Sequence, residues 1–178
     1  MLSAAEVFHL RCGILFNQGA DVRLETFRTE CWVPRERDIV FGFFSDALNL
    51  EAITPPWLSF SVLTPLPIVM RAGTLIDYRL RLHGIPFRWQ TAITRWEPPF
   101  GFVDEQRRGP YRRWVHTHTF EEHGGGTLCS DNVVYAVPGG RLIDRLFVRR
   151  DVQRIFNFRH RALWGRLAER GGAVDRVR

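Results

Sequence analysis

Apolar and polar residues alternate with period two through the middle of the chain, and helical spacings flank that stretch. Residues 24–33 read as a strand, with Phe27 and Thr29 among its β-formers and Pro34 as its stop. Residues 35–48 place Ile39, Val40, Phe43, Phe44 and Ala47 at helical spacing and predict a helix. A short helix or turn follows over 49–56, broken by Pro55-Pro56 just before Trp57. Residues 59–64 predict a short strand. In 73–83, Ile76, Tyr78, Leu80 and Leu82 share one face, while Asp77, Arg79, Arg81 and His83 share the other. The next strand lines up Phe87, Trp89, Thr91 and Ile93, and Pro98-Pro99 predicts a loop over 96–100. Strands over 101–107, 111–122 and 127–137 complete the series, joined by glycine-rich turns at Gly109-Pro110 and Gly124-Gly125-Gly126.

Pro138-Gly139-Gly140 ends this run and opens a helix over 141–169, about 43 Å long if unbroken at 1.5 Å per residue. Its apolar stripe is Val148, Val152, Ile155, Phe156, Leu163 and Leu167, and Gly171-Gly172 stops it. Hairpin-length connections make neighbouring strands antiparallel. One sheet face must be covered, and the last helix is the only partner long enough to cover it. The predicted fold is therefore α+β: a curved antiparallel sheet of about seven strands wrapped around a long C-terminal helix, with a cavity where the two part. Residues 22–170 form the expected domain. Residues 1–21, a poor signal peptide because Glu6, His9 and Arg11 interrupt it, are expected to be a poorly ordered extension, and 171–178 a frayed tail.

Composition changes the picture in three places. The aromatics, 14 Phe, 6 Trp and 3 Tyr, suffice either to fill a core or to line a pocket for a flat apolar ligand. The net charge is +6 and all the basic residues are Arg, a usage that reads as codon bias in a GC-rich genome. These arginines are interleaved with acids, as in Arg35-Glu36-Arg37-Asp38, rather than gathered in a stripe, so nucleic acid is not an expected partner. A loosely acidic or membrane-surface partner stays open, as does a homodimer. Cys12, Cys31 and Cys129 form no C-x-x-C pair and read as buried thiols in a reducing cytoplasm. No run is long enough for a membrane-spanning helix.

Alternation also brings polar groups inward. Trp114, His116, His118 and Phe120 share a face, as do Cys129, Asp131, Val133, Tyr135 and Val137, while Arg159 lies on the helix stripe between Ile155 and Leu163. A buried charge needs a partner. One reading pairs Arg159 with Asp131, with Tyr135 or a histidine completing a structural network. The other gives Arg159 or His118 a ligand carboxylate, carbonyl or phenol, with the ligand's body on Trp89, Trp114 and Phe156. His116 and His118 with Asp131 are also the candidate acid–base groups. Two histidines at i and i+2 sit about 6.6 Å apart along a strand, a spacing some metal sites use, with Asp131 or Asp104 as a third ligand. No motif supports this, so no metal is expected, and no phosphate loop or other cofactor motif occurs. Trp57 is a lid, a mouth residue or a plug at the end of the core.

The chain resembles the START-like superfamily of polyketide cyclases, dehydrases and lipid-transport proteins, and within it an uncharacterised bacterial ligand-binding subfamily. The resemblance rests on Phe41-Gly42-Phe43-Phe44-Ser45-Asp46-Ala47, Ile53-Thr54-Pro55-Pro56-Trp57-Leu58, Asp77-Tyr78, Asp104-Glu105-Gln106, Gly109-Pro110-Tyr111, Trp114-Val115-His116-Thr117-His118, Asp131, Tyr135 and Arg159. It implies a helix-grip fold and a hydrophobic ligand such as a lipid, quinone or aromatic polyketide, held by Trp57, Tyr78, Trp89, Trp114, His116, His118, Asp131, Tyr135, Phe156 and Arg159. Three functions stand side by side: a carrier, a cyclase or dehydratase, and a protein-interaction module with a filled interior.

Overall fold

The computed structural model describes residues 23–168. The expected extension, 1–21, and tail, 171–178, lie outside the described residues. Strands β1 (Glu25–Val33), β2 (Ser61–Val62), β3 (Leu75–Leu82), β4 (Ile85–Glu97), β5 (Gly101–Arg108), β6 (Arg113–His123) and β7 (Gly126–Ala136) form one antiparallel sheet. Their order is β1-β7-β6-β5-β4-β3-β2, so the first strand pairs with the last, from Glu25 opposite Tyr135 to Val33 opposite Thr127. Between β1 and β2 lie helices α1 (Arg37–Phe44) and α2 (Asn49–Ala52) and a 3₁₀ turn, Pro56–Leu58. After β7 come α3 (Gly140–Ile143), a π-helical turn (Asp144–Val148) and α4 (Arg149–Ala168). This is the expected helix-grip arrangement of a curved seven-stranded sheet with a long C-terminal helix.

Local chemistry explains the departures from the expected elements. The first helix stops at Phe44 rather than Leu48, because the Ser45 hydroxyl bonds back to the Gly42 carbonyl and Asp46 Oδ1 accepts the Leu48 N–H. Its buried face carries Val40, Phe41 and Phe44, while Ile39 is half exposed. Strand β4 runs through Trp96 and Glu97, which pair with Phe102 and Gly101, so the expected loop starts at Pro98. A bulge between Ile93 and Arg95 shifts the alternation there, which lets Trp96 pack on Phe41 and Phe102. Strand β2 is reduced to two residues. The final helix is interrupted by the π turn, where Asp144 turns inward and accepts the Tyr135 hydroxyl at 2.8 Å.

Every second residue of β6 and β7 is buried, from His116 to Phe120 and from Thr127 to Tyr135. At one end of this concave face, Phe41 and Phe44 of α1 meet Phe102, Phe120 and Ile93, with Leu163 and Leu167 of α4 completing the cluster. At the other end, Val152 and Phe156 pack on Val133, Tyr135 and Val137. The helix is thus anchored at both ends, and the sheet is left uncovered between the anchors. Leu163 has no exposure, so Leu163→Ala is expected to cost about 2–5 kcal/mol in urea denaturation. Arg161→Ala, on the exposed side of the same turn, should stay within about 0.5 kcal/mol.

Candidate functional site

Between those anchors lies a cavity of about 200 Å³. One water needs only about 10–15 Å³ by the same measure, so the space admits an organic molecule. Its wall is mostly apolar: Phe43, Phe44 and Leu50 on the α1–α2 side, Tyr78, Trp89 and Trp114 on the sheet, and Val152, Ile155 and Phe156 on α4. Trp89 stands edge-on to Trp114 at 5.5 Å and near-parallel to Tyr78 at 6.2 Å. Thr91 Oγ1 accepts the Tyr78 hydroxyl at 2.6 Å and the Trp89 indole N–H at 3.0 Å, which fixes both rings against the sheet. Burial pushes the Tyr78 phenol far above its usual range, so it stays protonated.

Asp104, His116 and His118 of the wall belong to a four-membered cluster on three adjacent strands that Asp131 completes from behind. Asp104 (β5) is opposite His116 (β6) in register, and His118 (β6) is opposite Asp131 (β7). His116 Nε2 is 2.8 Å from Asp131 Oδ1, and His118 Nε2 is 2.8 Å from Asp104 Oδ2. The remaining nitrogens face the other carboxylate. His116 Nδ1 lies 3.5 Å from Asp104, and His118 Nδ1 lies 3.0 Å from Asp131 without hydrogen-bond alignment. The two rings are 3.7 Å apart, and Phe102 stacks on His118 at 4.1 Å.

Proton counting sets the charges. Two neutral imidazoles supply one N–H to each aligned bond and leave a lone pair facing a carboxylate at each other nitrogen. A further proton on His118 relieves one of those contacts. Burial opposes that charge, but the bond to Asp104 and the nearby Asp131 outweigh it, so the His118 pKa lies above the ordinary imidazole value. His116 goes the other way, lowered by burial and then by the His118 charge despite its bond to Asp131. Burial alone would raise both carboxylates. The histidine hydrogen bonds overcome it, holding Asp104 below its usual value and Asp131 well below, with Arg159 adding to both.

Of the ten residues expected from sequence, Tyr78, Trp89, Trp114, His116, His118, Phe156 and Arg159 line this cavity. The other three do not. Asp131 sits behind the histidines, Tyr135 is turned to Asp144, and Trp57 borders a separate recess of about 240 Å³ beside Leu82, His83 and Arg154. The expected Arg159–Asp131 pair does not form, because both histidines have claimed that carboxylate. Arg159 instead lies over the rings of Phe44 at 5.2 Å and Phe156 at 5.9 Å, and its buried Nε has no hydrogen-bond partner. Asp104 and Thr91 complete the site without having been among the ten. Asp104 follows Phe102 by two on one strand face, and that alternation was the signal for it. Asp104, His116 and His118 also offer donor atoms within 4.8 Å of one another, a set able to hold one metal ion. Such an ion would replace the proton between His118 and Asp104.

The sequence model for polyketide cyclase / dehydrase and lipid transport proteins matches residues 33–160, and the chain belongs to that family. Among solved structures, Zhui aromatase/cyclase from Streptomyces sp. R1128 has a TM-score of 0.69 at 14% identity, covering 87% of this chain and all of its own. Protein Ms6760 from Mycobacterium smegmatis has a TM-score of 0.62 at 17% identity, covering 84% and 98%. Ara h 8.0201 has a TM-score of 0.61 at 16% identity, covering 83% and 99%. At such identities these likenesses show the shared fold. No curated protein matches the chain by sequence. Among the described residues, no helix is long and apolar enough to cross a membrane.

The two histidines leave opposite marks on stability. His118, raised, contributes fully below the ordinary value of ~6.5 and loses its contribution as pH rises through its folded pKa. His116, lowered, contributes fully above ~6.5 and loses its contribution as pH falls through its folded pKa. Asp104 and Asp131 contribute above ~3.9 and lose this only as pH falls through their lower folded values. The melting temperature should therefore peak near pH ~6.5, and in His118→Gln the alkaline decline should disappear. Asp131→Ala, which takes the aligned partner from His116 and the second carboxylate from His118, should cost about 3–5 kcal/mol by chemical denaturation.

Proposed function

We propose that the protein binds a flat hydrophobic molecule bearing a carbonyl or acidic oxygen in this cavity. The carrying observation is the wall itself, which is mostly apolar, with Asp104, His118 and His116 coming together on the sheet side and Arg159 entering from α4. An aromatic body fits against Trp89, Trp114 and Phe156. Its oxygen meets Arg159, whose Nε awaits a partner and whose neighbouring carboxylates are already occupied. Membership of a family of cyclases, dehydrases and lipid carriers supports a hydrophobic-ligand or cyclase role.

A second reading makes the same site catalytic. One observation favours it: His118 and Asp104, hydrogen-bonded at 2.8 Å, both line the cavity. A histidine held protonated can give that proton to a carbonyl or leaving oxygen and take one back from carbon or water, as cyclisation with loss of water requires. The Zhui relative is an aromatase/cyclase.

Native mass spectrometry of the purified protein, followed by organic extraction, is the test. A co-purifying lipid, quinone or aromatic acid is the expected result. Arg159→Gln should then weaken an acidic ligand by about 10- to 100-fold, the equivalent of one charge-assisted hydrogen bond. Turnover lost with binding retained in His118→Gln would select the catalytic reading. An empty protein whose melting temperature ignores a panel of such compounds would overturn both.

A further inference from the structure

We infer that the outward face of residues 140–150 docks on an anionic membrane surface and brings the α4 side of the cavity to it. Leu142, Ile143, Leu146 and Phe147 are 67%, 38%, 45% and 55% exposed. Their i, i+1, i+4, i+5 spacing puts all four on one face of α3 and the π turn. The opposite face is already committed: Asp144 is buried against the Tyr135 hydroxyl, and Val148 packs on the cluster around Phe156. The apolar face therefore cannot roll inward without breaking that hydrogen bond. No element among the described residues is packed over it.

Charge identifies the occupant. Arg141, Arg145, Arg149 and Arg150 are all exposed, and the sole acid of the stretch, Asp144, is the residue turned inward. The exposed surface thus combines large apolar side chains with four arginines and no carboxylate. This pairing suits the headgroup region of an anionic bilayer, where the apolar groups enter the acyl boundary and guanidinium groups meet phosphates. The scattered charge elsewhere in the chain does not repeat it. Location adds the consequence for function. One turn past Phe147, Asp151 and Val152 line the cavity, with Ile155 a turn further on, so docking sets that side of the cavity about one helical pitch from the lipid, ~5.4 Å. A hydrophobic molecule dissolved in the bilayer could then enter without crossing open water. Docking itself needs no cavity ligand, so it can be read independently of the preceding proposal.

The test is co-sedimentation of the full chain with vesicles of phosphatidylcholine alone and of phosphatidylcholine mixed with phosphatidylglycerol. Binding is expected to the mixed vesicles only, and to weaken as salt shortens the Debye length from about 10 Å at 0.1 M. Leu146→Ser with Phe147→Ser should lower the bound fraction about tenfold or more. Arg145→Glu with Arg149→Glu should abolish the preference for the anionic lipid. All four positions are exposed, so the melting temperature should be unchanged and the variants remain informative. Equal sedimentation with both vesicle types, or indifference to the substitutions, would overturn the inference. So would a wild-type dimer in solution that Phe147→Asp splits, since the face would then be covered by a second copy.

Discussion

One buried and one partly buried carboxylate, each bonded to one of two closely spaced imidazoles, constrain the rest of the site. Asp104 and Asp131 lie on strands that flank β6, and His116 and His118 reach both from between them. Each ionised acid is tolerable in the interior only because an imidazole N–H meets it. The ring positions therefore depend on the register of three strands at once, and a slip of one residue would turn all four groups to the opposite face. The same cluster decides what Arg159 does. With both acids spoken for, the guanidinium is left over aromatic rings with a nitrogen to spare.

The sheet and helices divide the remaining work. Anchoring clusters clamp α4 at both ends, and between them the large rings of Trp89, held by Thr91, and Trp114, packed edge-on to it, stand on the sheet and keep the gap from closing. The cavity is thus a packing consequence of bulky rings on a curved surface.

Much of this was legible in the sequence. Strict alternation in 111–137 put His116, His118, Asp131 and Tyr135 inside, and the hairpin-length turns left no topology other than an antiparallel sheet. What escaped were features set by contacts distant along the chain. The bulge in β4 hid Trp96 and Glu97 inside an apparent loop, since proline content speaks for the loop and a partner strand for its start. The choice of Phe41 over Ile39 as the buried residue depends on where α1 meets β6, which helical period alone leaves open. Asp131 had two possible partners of opposite type, and only geometry shows that both histidines arrive before the arginine. Tyr135 likewise looked like a site residue until a π turn, invisible in the hydrophobic stripe, brought Asp144 beneath it.

Thr91 carries a consequence of its own. A single hydroxyl oxygen holds two of the three large rings of the sheet wall, Tyr78 and Trp89, by their polar ends, so that half of the chamber behaves as a rigid mould. The facing half, Phe43, Phe44 and Leu50, comes from short helices whose polar ties to the strands lie outside the chamber, Arg37 to Glu122 at 3.0 Å and the Val62 N–H to Glu51 Oε1 at 2.8 Å. The shape of the chamber can therefore be changed through residues between β1 and β2 without disturbing the strands that carry Asp104, His116, His118 and Asp131 opposite.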